Sequence, residues 1–315
     1  MKKGLKIVLI LVITIAVIVG VIFGGLYVNN KNKLKAEKSE IIEYGQKVKV
    51  SGKNMQVYMQ GEGDQTFVLL PGYLTGSPKI DFELLINELS KDARVVVVEP
   101  FGYGLSDDTE TPRTVENMVE EIHAALASLD IDTYALVTHS IWGVYALKYI
   151  NTYPNEVTMH VGIDSSLPSQ GGADENQEST IAFLAKSGIY RFMADSSDDF
   201  LLIPSTDEAT KKQFKYISLK NIGSSATVNE GKEMQNNFDK TINLKYPSDL
   251  PVLYILASES VDPDPNWIPI HEAMLQDVNQ GKLVVLEGGH YLHHTQSVEI
   301  VKQIHEFKGE VSGDN

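Results

Sequence analysis

Eight short apolar runs constrain the fold of this chain more than any other feature; they lie at residues 46–50, 55–59, 66–70, 94–99, 134–138, 157–163, 252–257 and 282–286. The first two alternate polar and apolar residues, as the strands of a hairpin do. The other six are nearly continuous, which suits strands covered on both faces. Between the runs, residues 81–90, 114–129, 142–153, 269–278 and 296–307 place apolar side chains at spacings near 3.6, the period of a helix with one buried face. Thr114 stands where a helix cap belongs, with Glu116 in the first turn. Strands alternating with helices after an antiparallel start predict an α/β domain, a mostly parallel eight-stranded sheet with helices on both faces. Residues 166–246 lack strand runs and are polar and helix-like. We read them as a helical cap inserted between core segments 46–165 and 247–309, with residues 310–315 as a tail.

A second feature sets where the domain sits. Residues 7–28 contain no charge, and as a helix they reach about 33 Å, enough to cross a hydrocarbon core of about 30 Å. A cleaved signal peptide usually has an apolar region of only ~7–15 residues before a small-x-small site. Here the segment runs into Gly24-Gly25-Leu26-Tyr27 with no Ala-x-Ala. We therefore expect a retained single-pass anchor, the alternative being secretion after cleavage. Lys2, Lys3 and Lys6 precede the span, and Lys31, Lys33, Lys35 and Lys38 follow it. The short basic tail, residues 1–6, is expected inside the cell membrane and the domain outside. Residues 29–45 are polar and without apolar periodicity. They are expected to form a stalk that holds an acidic domain away from anionic lipid.

Composition removes several function classes. The chain has 315 residues with 42 acidic and 27 basic side chains, a formal net charge of -15. A nucleic-acid binder would show the opposite balance. There is no cysteine, which excludes disulfides, thiolate metal sites and a thiol nucleophile. Gly102 and Gly104 lack the third glycine and the helix context of a dinucleotide loop. No cofactor is expected. His293 and His294 follow His290 closely, but no carboxylate cluster lies near them in sequence, so no metal site is expected either.

The chemistry concentrates around Ser140. The strand run at 134–138 leads into Ser140 and at once into the helical stretch at 142–153, so a tight turn presents the hydroxyl above the sheet edge. The same turn aims a helix N-terminus at the reacting centre, where it favours developing negative charge.

On these residues the chain resembles the α/β-hydrolase superfamily over residues 46–309. Thr138-His139-Ser140-Ile141-Trp142-Gly143 is similar to the family's Gly-His-Ser-x-Gly-Gly elbow. Leu70-Pro71-Gly72-Tyr73 looks like its oxyanion loop. Glu99-Pro100-Phe101-Gly102-Tyr103-Gly104-Leu105-Ser106 is similar to its Asp-x-x-Gly-x-Gly-x-Ser signature, and Gly288-Gly289-His290 to the loop of its catalytic histidine. The resemblance implies a nucleophile at Ser140, a base at His290 and an oxyanion hole from the backbone N–H groups of Tyr73 and Ile141. The orienting acid belongs in the loop after 252–257, where the family position falls on Ser260; Glu259 is preferred, then Asp262, with Asp164 as a third route. Implied is hydrolysis of a small-molecule or lipid-like acyl substrate, ester or amide, entering between the sheet edge and the cap. Trp142 departs from the family pattern, since residues two before and two after the nucleophile are usually small. A crowded elbow gives the rival reading, a non-catalytic binding or sensing ectodomain.

Overall fold

All eight apolar runs are strands of one sheet. The computed structural model describes residues 3–173, 177–204 and 207–313. The strands are β1 (Gln46–Val50), β2 (Lys53–Gln60), β3 (Thr66–Leu70), β4 (Arg94–Glu99), β5 (Tyr134–His139), β6 (Val157–Ile163), β7 (Val252–Ala257) and β8 (Gly281–Leu286). Their spatial order is β1-β2-β4-β3-β5-β6-β7-β8. The β1–β2 and β2–β4 pairs are antiparallel, and every pair from β4–β3 to β7–β8 is parallel. β5 is buried at all six positions, as its unbroken apolar run requires.

The helices, in chain order, begin with α1 (Lys3–Glu37), α2 (Pro78–Asp81), α3 (Glu83–Leu89), α4 (Val115–Ala127) and α5 (Trp142–Thr152). The insertion contributes α6 (Glu178–Ser187), α7 (Ile189–Ser196), α8 (Glu208–Asn221) and α9 (Ser225–Thr241). The chain closes with α10 (Ser258–Val261), α11 (Trp267–Leu275), α12 (Leu292–Thr295) and α13 (Ser297–Ser312). The two sides of the sheet carry separate cores. Val68, Leu136, Val144 and Tyr254 belong to one, and Phe67, Leu85, Val137 and Ile304 to the other. Thr114 caps α4 by accepting from the Asn117 amide.

Among its described residues the insertion holds helices joined by short turns and no strand, as its polar text suggested. It is fixed to the core by buried polar contacts from α9. Tyr103 donates to Glu230 Oε2 at 2.7 Å, and Asn237 accepts from the Val115 amide at 2.7 Å.

Two boundaries differ from the sequence reading. The stalk at 29–45 is not free, because α1 runs without a break through residue 37. Tertiary contacts, rather than local periodicity, hold that extension: Asn30 and Glu37 are buried against Arg191 of α7. The tail at 310–315 is partly helical, since α13 continues to Ser312.

Candidate active site

Ser140 occupies a strained turn. It has φ +55°, a left-handed conformation uncommon for a side chain with a Cβ, at the point where β5 meets α5. The turn is held by backbone bonds: its amide donates to Ile163 O, and its carbonyl accepts from the Gly143 and Ser166 amides at 2.9 and 2.8 Å. Trp142 does not disrupt it. The indole is fully buried, edge-on to Tyr145 at 5.3 Å, although its Nε1 has no partner. The close approach falls at Gly143, where a Cβ would lie 2.5 Å from Ser166 O in the loop after β6. Gly143 stands at the second glycine of the elbow pattern, and the first is replaced by a tryptophan that the core absorbs.

The loop after β3 passes directly beside the Ser140 turn, with Gly72 against His139 and Ser140. Among the described residues, neither the Tyr73 nor the Ile141 amide is engaged in a hydrogen bond, so both are available to an incoming oxyanion. Glu99, first residue of the glycine signature, braces this region. Its buried carboxylate accepts from Tyr44 Oη at 2.7 Å, the Leu105 amide at 2.7 Å and the Lys79 amide at 3.2 Å.

The structure brings Asp164, not Glu259 or Asp262, to His290. Asp164 Oδ2 lies 2.6 Å from His290 Nδ1. The order of preference read from sequence is thereby corrected, and the reason is local. Residues Ser258–Val261 close into the helical turn α10, which turns Glu259 and Asp262 out to solvent. Ser260 faces inward instead and donates to Asp164 Oδ2 at 2.6 Å. The position where the resemblance expects the acid thus holds a donor to an acid delivered from the end of β6.

Asp164 is itself at φ +40° and fully buried. Its Oδ1 accepts from the Ala257 amide at 3.1 Å and Trp267 Nε1 at 3.2 Å. Burial pushes the carboxyl up, but the donors around it, His290 and Ser260 foremost, outweigh that and hold it below the usual carboxylate range. Asp164 thus holds the His290 imidazole by Nδ1. Among the described residues neither Ser140 Oγ nor His290 Nε2 makes a hydrogen bond.

Beneath His290 lies a group of histidines that the sequence reading only partly anticipated. His139 is buried and its Nε2 contacts His290 O at 3.0 Å, fixing the backbone of the His290 loop. Burial, with His293 and His290 beside it, pushes its pKa well below the ordinary value, so it is neutral and donates through Nε2. Asp81 joins His293 Nε2 and His294 Nε2, each at 2.8 Å. This is the carboxylate that sequence distance concealed, and the expectation that none accompanies these histidines is corrected. The three ligating atoms lie within 4.8 Å of one another, close enough to share a cation. As they stand, the imidazoles satisfy the Asp81 carboxylate. Burial pushes it up, and the two histidines outweigh burial to hold it well below the usual carboxylate range.

A cavity of about 240 Å³ borders the site through Tyr73, Asp81 and Tyr291. Its far wall is the cap: Tyr190, Phe200, Leu201 and Phe214. Phe183 of α6 lies outside this cavity and is exposed.

Residues 65–186 match the family model described as alpha/beta hydrolase fold. An uncharacterised protein of Bacillus subtilis (strain 168), YbdG, is 27% identical over 99% of this chain and 100% of its own length. A serine hydrolase of Mus musculus, BPHL, is 32% identical over 35% of this chain and 39% of its own. Among solved structures, an esterase from Thermogutta terrifontis matches with a TM-score of 0.65 and 18% identity, covering 85% of this chain and 99% of that one. An epoxide hydrolase from Vigna radiata matches with a TM-score of 0.65 and 20% identity, over 86% and 99%. Sheet order, elbow and matched segment agree: the chain is an α/β-hydrolase-fold protein.

Proposed function

We propose that the protein is a serine hydrolase that cleaves a carboxylic ester or amide through an acyl-enzyme. Ser140 attacks the carbonyl carbon, and His290 Nε2 takes its proton. The carbonyl electrons move onto oxygen, which the Tyr73 and Ile141 amides receive. Collapse of the tetrahedral species expels the leaving group, protonated by His290. Water, activated by the same imidazole, then releases the acid and restores Ser140. Asp164 holds the imidazole by Nδ1 and stabilises its cationic form.

The observation that carries this reading is a strained serine on a strand-to-helix turn, next in sequence to His139, whose ring contacts His290, together with a His290 bonded to a buried, ionised aspartate at 2.6 Å. The buried indole of Trp142 beside an intact turn supports this reading over a non-catalytic ectodomain. A chromogenic ester panel tests the proposal. Wild-type protein should turn over at least one short ester with an initial burst, while Ser140→Ala and His290→Ala each lose nearly all of the rate. A wild-type protein inert across the panel would remove the reading.

We also read α1 as a membrane anchor with residues 29–315 outside the cell. It is long and apolar enough to cross a membrane. Protease added to intact cells should digest the domain and leave a small membrane fragment. Protection until the cells are lysed would reverse the orientation.

A further inference from the structure

The cap is built against α1 at the depth of its apolar span. Gly188, which joins α6 to α7, has φ +84°, and a Cβ there would fall 2.5 Å from Leu26 O. Only glycine allows this conformation so close to another backbone. Asn30 donates through Nδ2 to Ala185 O at 3.0 Å and accepts at Oδ1 from Arg191 Nε at 2.7 Å. The Arg191 guanidinium forks onto both oxygens of Glu37 at 2.6 and 2.7 Å, with only 2% of the arginine side chain exposed. These contacts fix α6 and α7 to α1 rather than leaving the domain on a free tether.

The contact level follows from helix geometry. Leu26 lies about 3 Å, and Phe23 about 7.5 Å, short of Val28, where the uncharged stretch ends. The stretch exceeds the hydrocarbon core by only about 3 Å. Phe23 therefore lies within hydrocarbon, and its ring is 6.5 Å from that of Phe183 on α6. α6 carries the run Ile181-Ala182-Phe183-Leu184-Ala185, yet none of its residues is buried in the protein, and Phe183 is 57% exposed. The face of α6 that carries Phe183 has no protein cover, and at this depth it is covered by lipid. Charge agrees with the level: Tyr27, Lys31 and Lys186 line a cavity between α1 and the cap, where headgroup phosphates would lie.

We propose that α6 lies in the headgroup–acyl boundary of the bilayer that α1 crosses, and that the site takes its acyl ester from that leaflet. Such helices sink their apolar faces about 5–10 Å into that boundary. The next helix, α7, connects surface to site, because Tyr190 lines the cavity beside Tyr73 and Tyr291 while Phe192 and Met193 remain exposed. At about 240 Å³ the cavity is smaller than the ~300–1,000 Å³ of sites for whole drug-sized ligands. It accommodates one acyl group, with the remainder of the lipid outside. The substrate claim rests on the hydrolase reading above; the position of α6 does not.

The chain has no cysteine, so a single introduced thiol reports one position. The full-length Phe183→Cys protein, labelled with an environment-sensitive fluorophore in phosphatidylcholine vesicles, should be quenched by lipids spin-labelled high on the acyl chain. Val298→Cys, exposed at the start of α13, should not be. In the second arm, Phe183→Asp should lower turnover of a long-chain ester held in the vesicles by about tenfold or more, from the lost burial of one aromatic side chain. It should leave a water-soluble short-chain ester unaffected. An unquenched label at residue 183, or equal loss on both esters, overturns the proposal. A wild-type protein that hydrolyses neither ester, with the label still quenched, sinks the hydrolase reading and leaves the buried position of α6 standing.

Discussion

Asp164 carries the clearest residue-level consequence. Its carboxylate is held ionised by four donors, so replacing it with asparagine leaves the shape and removes the charge that stabilises a protonated His290. Asp164→Asn should lower kcat by about 10⁴-fold, the loss seen when a triad aspartate becomes asparagine. Glu259→Gln and Asp262→Asn should change it by little, because both side chains face solvent. A short-ester kinetic assay, with circular dichroism as the folding control, separates the three; a larger loss from Glu259→Gln would return the acid to the loop after β7. Sequence could not rank these acids. Asp164 and His290 are 126 positions apart, and only the parallel β6–β7 pairing, which seats Asp164 beside Ala257 and Ser260, decides between them. The nucleophile was legible because its signal is local, a strand run, a serine and a helix in immediate succession. Asp81 was not, standing 212 positions before the first of its histidines.

At the scale of elements, the strands were legible because a doubly covered strand must be apolar at every position, as β5 and β7 are. The extension of α1 beyond residue 28 was hidden for the opposite reason. Its charged residues show no period, and their partners lie more than 150 positions away on α7. The Arg191–Glu37 pair makes this contact testable. Removing one member strands a buried charge, so Arg191→Ala should destabilise the cap by about 3–5 kcal/mol and open it to proteolysis. The apolar double variant Arg191→Met/Glu37→Leu should recover most of that loss. Equal proteolytic resistance of wild type and Arg191→Ala would show that the pair does not hold the cap to α1.

For the whole molecule, the buried histidines set the response to acid. His160 is fully buried, which lowers its pKa to about 3. His139, His271 and His293 are also lowered, with burial the largest cause in each. All four are neutral when folded and bind protons on unfolding once the pH falls below about 6.5. Their stabilising contribution is therefore present above that pH and lost progressively below it, for His160 down to about pH 3. His160 adds about 1.4 kcal/mol per pH unit to the slope between its unfolded and folded values, and the other three add to it in the same direction. The lowered carboxylates Asp164 and Asp81 have the same sign but act later, below about pH 4, where unfolded aspartates take up protons. Melting temperature should thus fall steeply from pH 6.5 to 4.5, before ordinary carboxylates titrate. A flat melting temperature over that interval would contradict the assignment of neutral buried imidazoles.

The central claim is that this fold carries a working nucleophile at Ser140. Its most direct test is reaction of the full-length protein, in membranes, with a fluorophosphonate probe, followed by mass spectrometric mapping of the adduct. The account predicts one adduct per chain, on Ser140, absent from Ser140→Ala and strongly reduced in His290→Ala and Asp164→Asn. No adduct on folded wild-type protein, or an adduct on another serine that persists in Ser140→Ala, would contradict it.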